Sequence, residues 1–188
     1  PRDGHVHWRV PMTPRNMPIG IATPVVAGDR LFVTPFYDGS LMLRLDQDEP
    51  RVNELWRRCG PSERDTDALQ SIIATPVFKG DHIYGVDSYG ELRCLEAATG
   101  DRVWEDLTAT PKARWSNIHI VAHGDKYWMF NERGELVIGK LSPEGFTEID
   151  RTTLIDPTEE QLRMRGGVCW AHPAFADRRI YVRNDAAL

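Results

Sequence analysis

No apolar run among these 188 residues approaches the roughly 18–20 that a membrane-spanning helix needs, so none of the chain is expected to cross a bilayer as a helix. Cysteine is scarce: Cys59, Cys94 and Cys169 are far apart and odd in number, and no Cys-x-x-Cys occurs. That excludes a zinc ribbon and a thioredoxin-type motif. The three are expected to be isolated buried thiols, with one disulfide and a spare thiol as the alternative in an exported protein. A basic surplus is missing too, since 23 Lys and Arg stand against 28 Asp and Glu for a net charge of −5. Arg57-Arg58 and the trio Arg151, Arg163 and Arg165 are too sparse to make a basic face, so no nucleic-acid partner is expected.

Catalytic signatures are equally thin. There is no Gly-x-Ser-x-Gly and no phosphate-binding loop, and Glu159-Glu160 read as a solvated turn rather than a buried acid pair. His5-x-His7 would set two imidazoles on one face of a strand, but no third ligand is near them in sequence, so no metal is expected. His119 and His123 read as surface or channel-lining residues. The start, Pro1-Arg2-Asp3-Gly4-His5, has neither an initiator Met nor the apolar core of a signal peptide, and reads as cut from a longer chain.

What the chain does have is a repeat. Ala22-Thr23-Pro24-Val25-Val26-Ala27-Gly28-Asp29 reappears as Ala74-Thr75-Pro76-Val77-Phe78-Lys79-Gly80-Asp81. A third copy ends at Gly124-Asp125 and a weaker fourth at Asp177, so the aspartates step by 52, 44 and 52 residues. Trp8, Trp56 and Trp104 are each 48 apart. A period in the forties with β-type content points to the blades of a propeller. Each unit divides into four short strands: an apolar run such as Ser71–Val77, a Gly-Asp turn, a β-rich strand such as 82–86, a second turn, an alternating strand and a last strand carrying Trp. Helical periodicity is confined to Asp156–Leu162, where an N-cap candidate, Pro157 and Glu159 predict a single helical turn.

A lone four-stranded sheet cannot bury both faces, and radial stacking solves that problem. Trp8, Trp56 and Trp104 fall in the outermost strands, where an indole spans the splayed gap between blades; one such ring contributes on the order of 3 kcal/mol. The predicted fold is thus all-β, a propeller of four-stranded antiparallel blades. Its divisions are an outer strand at 1–10, blades at 20–60, 71–108 and 116–152, and the start of another at 167–188. About four blades are present; the first strand could complete the last blade and close a four-bladed ring, but the abrupt end at Ala186-Ala187-Leu188 predicts a piece of a larger ring.

Residues 74–104 carry Ala-Thr-Pro-Val-x-x-Gly-Asp followed by Asp-x-x-Gly-x-Leu-x-x-Leu-x-Ala-x-Thr-Gly-x-x-x-Trp, and resemble the repeat of the pyrroloquinoline-quinone (PQQ)-type propellers. Residues 22–56 match well, 118–149 fairly and 168–188 in part. The resemblance implies a full ring of seven or eight blades and one of two kinds of protein: a quinone- and calcium-dependent alcohol or sugar dehydrogenase, or a non-catalytic BamB-like propeller of the cell envelope. The quinone enzymes use adjacent cysteines and a calcium-binding constellation that nothing here matches. The leading expectation is therefore a scaffold that binds a protein or peptide partner outside the cytoplasm, with no cofactor, and with lipoprotein anchoring open for the full-length protein. A dehydrogenase fragment and a glycan-binding propeller are the alternatives. Tyr37, Trp115 and Trp170, in or beside connecting loops, are the candidate ligand-facing aromatics; inter-blade packing would account for them equally.

Overall fold

The computed structural model describes residues 3–160 and 163–188. Three four-stranded antiparallel sheets follow one another along the chain. The first is β1 (Val25–Ala27), β2 (Arg30–Val33), β3 (Ser40–Leu45) and β4 (Val52–Arg58). The second is β5 (Val77–Lys79), β6 (His82–Val86), β7 (Leu92–Glu96) and β8 (Arg102–Asp106). The third is β9 (Ile118–His123), β10 (Lys126–Asn131), β11 (Glu135–Ser142) and β12 (Gly145–Thr153), after which β13 (Ala174–Ala176) and β14 (Arg179–Tyr181) form a two-stranded sheet. Each is an up-and-down meander, the blade of a propeller.

The Gly-Asp pairs are the tips of the first hairpins. Ala27 pairs with Arg30, Lys79 with His82 and His123 with Lys126, leaving two-residue turns led by Gly28, Gly80 and Gly124 at φ near +60°. Positive φ at the first central position is what a II′ hairpin turn demands, and glycine meets it without strain. The fourth tip has no glycine, and Asp177 and Arg178 both take left-handed φ, the I′ pattern.

Burial sits between blades. Phe32, Met42 and Leu69 pack with Ile83 and Leu95, with Trp56 and Phe78 at the margin, which joins the first blade to the second. Tyr84, Leu92 and Cys94 pack with Ile118, Met129, Val137 and Leu141, with Trp104 at the margin, which joins the second to the third. The second blade is covered on both faces because alternate residues of β6 and β7 point to opposite neighbours.

The indoles clasp these junctions. Trp56 Nε1 donates to the Ala97 carbonyl of the next blade at 3.0 Å, and Trp104 Nε1 to the Ser142 carbonyl at 2.8 Å. Each third-to-fourth strand ladder shifts register just past this point, after Met42, Cys94 and Ile138. The residues opposite those positions are Trp56, Trp104 and, in the third blade, Asp150. The large ring of the third blade sits instead in its second strand, where Trp128 stacks on His123 at 4.2 Å and meets Phe175 of the next sheet at 4.7 Å.

Four expectations are corrected. Residues 6–10 form no strand, having no neighbouring strand among the described residues to bond with, and Trp8 is 42% exposed rather than clasping a junction. The apolar run Ser71–Val77 is not a strand until Val77; its polar groups turn to other partners, Ser71 Oγ donating to the Val86 carbonyl and the Ala74 amide donating to Asn117 Oδ1. The helical turn expected over Asp156–Leu162 gives way to an antiparallel bridge of Thr158 with Val168 and a 3₁₀ turn at Arg163–Arg165; Gln161 and Leu162 lie outside the described residues. His119 is buried, not on a surface or channel wall. The three cysteines are free, Cys94 and Cys169 buried and Cys59 half-buried.

Candidate functional site at the axial mouth

In an up-and-down meander the first and third hairpin turns fall at one end of the blade. The second turn and the connection to the next blade fall at the other. Tyr37 lies in the second turn of the first blade, Trp115 in the second-to-third connection and Trp170 in the third-to-fourth. All three candidate aromatics therefore share one end of the propeller.

The sheet registers locate this end on the axis. Val25, Val77, Val121 and Ala174 are equivalent first-strand positions, paired with Phe32, Tyr84, Trp128 and Tyr181. Four residues before each stand Ile21, Ile73, Asn117 and Trp170. Three of these, Ile21, Ile73 and Trp170, border one cavity of about 260 Å³. Met17, Ile19, Ile72 and Trp115 complete its walls, all of them apolar residues or tryptophan. Met17 is 62% exposed and Ile21 59%, so an apolar patch opens to solvent at the mouth of the axis.

Trp115 is held there under strain. Its φ is +66°, a left-handed conformation that costs a side-chain-bearing residue about 1–2 kcal/mol. Its amide donates to the Ser88 carbonyl at 2.7 Å, and Ser116 bridges to Tyr89, tying the loop to the second blade. Gly90, at φ +93°, permits the approach: a Cβ there would stand 2.9 Å from that of Ser116. The indole Nε1 is buried without an acceptor, an arrangement that costs about 1–3 kcal/mol. Strain of this kind persists where the surroundings enforce it, commonly at ligand clamps.

Arg114 connects the aromatics. Its guanidinium lies over the Trp115 ring, 4.4 Å from the centroid, and donates to Glu63 Oε2 at 2.7 Å and to the Tyr37 hydroxyl at 3.2 Å. Tyr89 donates its hydroxyl proton to Glu63 Oε1 at 2.8 Å, and Arg64 Nε donates to the Tyr89 oxygen. The hydrogen bond from Arg114 holds the Glu63 carboxyl below the usual carboxylate range, outweighing the opposite effect of partial burial. Trp170 is fixed from beneath. Its Nε1 points at Glu132 Oε2, at 3.5 Å, and Glu132 is fully buried and paired with Arg165 at 2.6 Å. The Trp170 carbonyl lies 3.0 Å from His119 Nε2, and burial pushes the His119 imidazole down to about 4.

Trp115 and Trp170 thus face a common cavity, and Tyr37 joins them through Arg114. Sequence reasoning missed Arg114, Glu63, Tyr89, Met17 and the isoleucines. One signal was available: Ile-Ala-Thr-Pro occurs at both 21–24 and 73–76, so an apolar residue recurs at the axial position. Glu63 and Glu132 were invisible as site residues because their partners lie 51 and 33 positions away.

A quinone with calcium draws on carboxylate oxygens. Glu63, Glu91 and Glu132 are each engaged by Arg or Lys, although Glu91 Oε2 is buried without a partner, and among the described residues no three His, Cys, Asp or Glu side chains converge to hold a metal ion. His5 and His7 meet edge to face at 4.7 Å and are exposed, with no third ligand among the described residues. Taken alone, these donors do not form a metal site.

Residues 1–187 match the family described as outer membrane protein assembly factor BamB. No curated protein matches the chain. Among solved structures it is similar to BamB from Moraxella catarrhalis, with a TM-score of 0.52 and 16% identity over 87% of this chain and 40% of that one. A europium-containing methanol dehydrogenase superposes with a TM-score of 0.58 and 15% identity over 92% of this chain and 36% of that one. The quinohemoprotein alcohol dehydrogenase from Comamonas testosteroni gives 0.53 and 21% identity over 84% of this chain and 27% of that one. The chain therefore spans well under half the length of each of these propellers.

Proposed function

Because the chain belongs to the BamB family of PQQ-type propellers, we propose that it is part of a non-catalytic scaffold that binds a protein or peptide partner in the cell envelope through its axial mouth. One observation carries the reading: Trp115, strained and roofed by Arg114, borders an apolar cavity that opens beside exposed Met17 and Ile21. Trp, Tyr and Arg around an apolar centre are the composition of energetic hot spots at protein interfaces. An apolar patch rimmed by polar residues is the usual mark of such a surface.

Beyond the two indoles the cavity offers only isoleucine and methionine, and a glycan needs more hydrogen-bonding side chains than these walls supply, so they favour an apolar occupant. To test the reading, the immobilised protein is exposed to an envelope extract beside Met17→Glu and Trp115→Ala variants. A species captured saturably by the native chain and lost from both variants supports it. No such species, or capture indifferent to both changes, sinks it.

The fold shared with two quinoprotein dehydrogenases motivates a second reading, a fragment of such an enzyme. Dye-linked alcohol oxidation on addition of quinone and calcium would establish that reading and displace the first.

A further inference from the structure

The charges around the axial mouth are layered. Arg64 and Arg114 both stand near Glu63, which accepts from Arg114 and from Tyr89; Arg64 donates from Nε to the Tyr89 hydroxyl at 3.3 Å and has no carboxylate in contact among the described residues. Glu63 is thus paired with Arg114, and the second guanidinium beside it, Arg64, is held by the Tyr89 hydroxyl instead. The acid is also the inner partner: the Glu63 side chain is 22% exposed and that of Arg114 42%. Lys112, two residues away, repeats the pattern over the buried Glu91, with exposures of 61% and 7%. Cations face outward beside Trp115 while their counter-charges lie beneath, although the whole chain is acidic.

Next to this cationic rim lies the cavity of about 260 Å³, below the roughly 300–1,000 Å³ of sites for drug-sized molecules. It has room for one side chain, walled by Ile21, Ile73, Trp115 and Trp170. We propose that the occupant is an extended acidic peptide segment, with one aliphatic or aromatic side chain seated in the cavity and an adjoining Asp or Glu paired with Arg64 and Arg114. A guanidinium fork matches a carboxylate in a planar, two-bonded geometry, and both cations are already oriented, Arg114 by stacking on Trp115 and Arg64 by its hydrogen bond to the Tyr89 hydroxyl. The assignment rests on the partner-binding reading above and specifies its chemistry.

Fluorescent ten-residue peptides test it: one with Leu or Phe between Asp and Glu, one with those acids replaced by Lys, and one with the anchor replaced by Ser. Only the first is expected to bind, with polarisation falling as salt rises from 50 to 500 mM. Arg64→Glu with Arg114→Glu should weaken it at least tenfold. Met17→Glu, at an exposed position, should do likewise without loss of thermal stability. Equal binding of the lysine peptide, or binding indifferent to the arginine pair, overturns the acidic assignment and leaves a partner-binding face standing. Binding of the serine peptide at native affinity overturns the anchored side chain. If no peptide and no envelope protein is held at this face, both readings fall together.

Discussion

The indole of Trp56 rests against the backbone of Gly100 in the next blade: a Cβ on that glycine would stand 3.0 Å from the ring and 2.8 Å from Arg58 Cδ. Gly100 also holds φ at +77°, so two independent demands fall on one position. Gly100→Ala should therefore cost about 2–3 kcal/mol, the backbone penalty plus displacement of the clasp. Gly28→Ala is the reference, since its φ is +63° but nothing lies within 4 Å of the added carbon, and about 1 kcal/mol is expected. Urea midpoints measure both; equal losses would mean that the Trp56 contact exerts no constraint.

The three evenly spaced tryptophans should separate on truncation. Trp56→Ala and Trp104→Ala remove half-buried rings that also donate hydrogen bonds across a junction, and each should lose about 2–4 kcal/mol. Trp8→Ala, at an exposed ring, should stay within about 0.5 kcal/mol. Thermal unfolding of the three variants decides, and a large loss at Trp8 would contradict its placement.

Arg93 ties the second blade to its connection. Its guanidinium contacts Asp87 Oδ1 at 3.0 Å, Thr66 Oγ1 at 2.7 Å, the Ala68 carbonyl at 3.1 Å and Glu105 Oε2 at 3.0 Å. Arg93→Met strands a carboxylate that is 1% exposed, and a loss of about 3–5 kcal/mol is expected. Adding Asp87→Asn should recover part of it. Burial raises the Asp87 carboxyl above its ordinary value. A raised acid contributes stability below its unfolded pKa and loses it as pH rises, so the single variant should be least stable at neutral pH. A flat profile would count against this account.

His119 sets an acid limit. Its imidazole titrates at about 4 in the fold against 6.5 in the unfolded chain, chiefly because burial penalises the cation. Between those values the unfolded chain binds more protons, so stability falls as pH drops from 6.5 to 4 and is level again below. The gap is worth on the order of 3 kcal/mol. His119→Gln should flatten the urea midpoint across that window; an unchanged slope would assign it to other groups.

Much of the architecture was legible because a propeller blade is a local object. Gly-Asp turns, alternating strands and period-forty spacing are properties of neighbours in sequence, and they predicted the hairpins at Gly28-Asp29, Gly80-Asp81 and Gly124-Asp125. Where the same local logic was applied without a partner strand it failed, as at Val6–Val10. It failed also over most of Ser71–Val77, where Ser71 and Ala74 turn their hydrogen-bonding groups to Thr34, Val86 and Asn117.

The site was less legible. Tyr37, Trp115 and Trp170 could be picked out as loop aromatics, but nothing in their spacing says that Arg114 bridges two of them or that Glu63 holds Arg114 in place.

The sequence by itself determined the repeat unit and its turns, because short-range backbone geometry and apolar periodicity act within one blade. Only the tertiary structure decided which loops meet at the axis, that Asp150 stands where two other blades have tryptophan, and that cations cover acids beside Trp115. Those are contacts between residues far apart along the chain, and they arise from the radial stacking that each sheet needs to hide its second face.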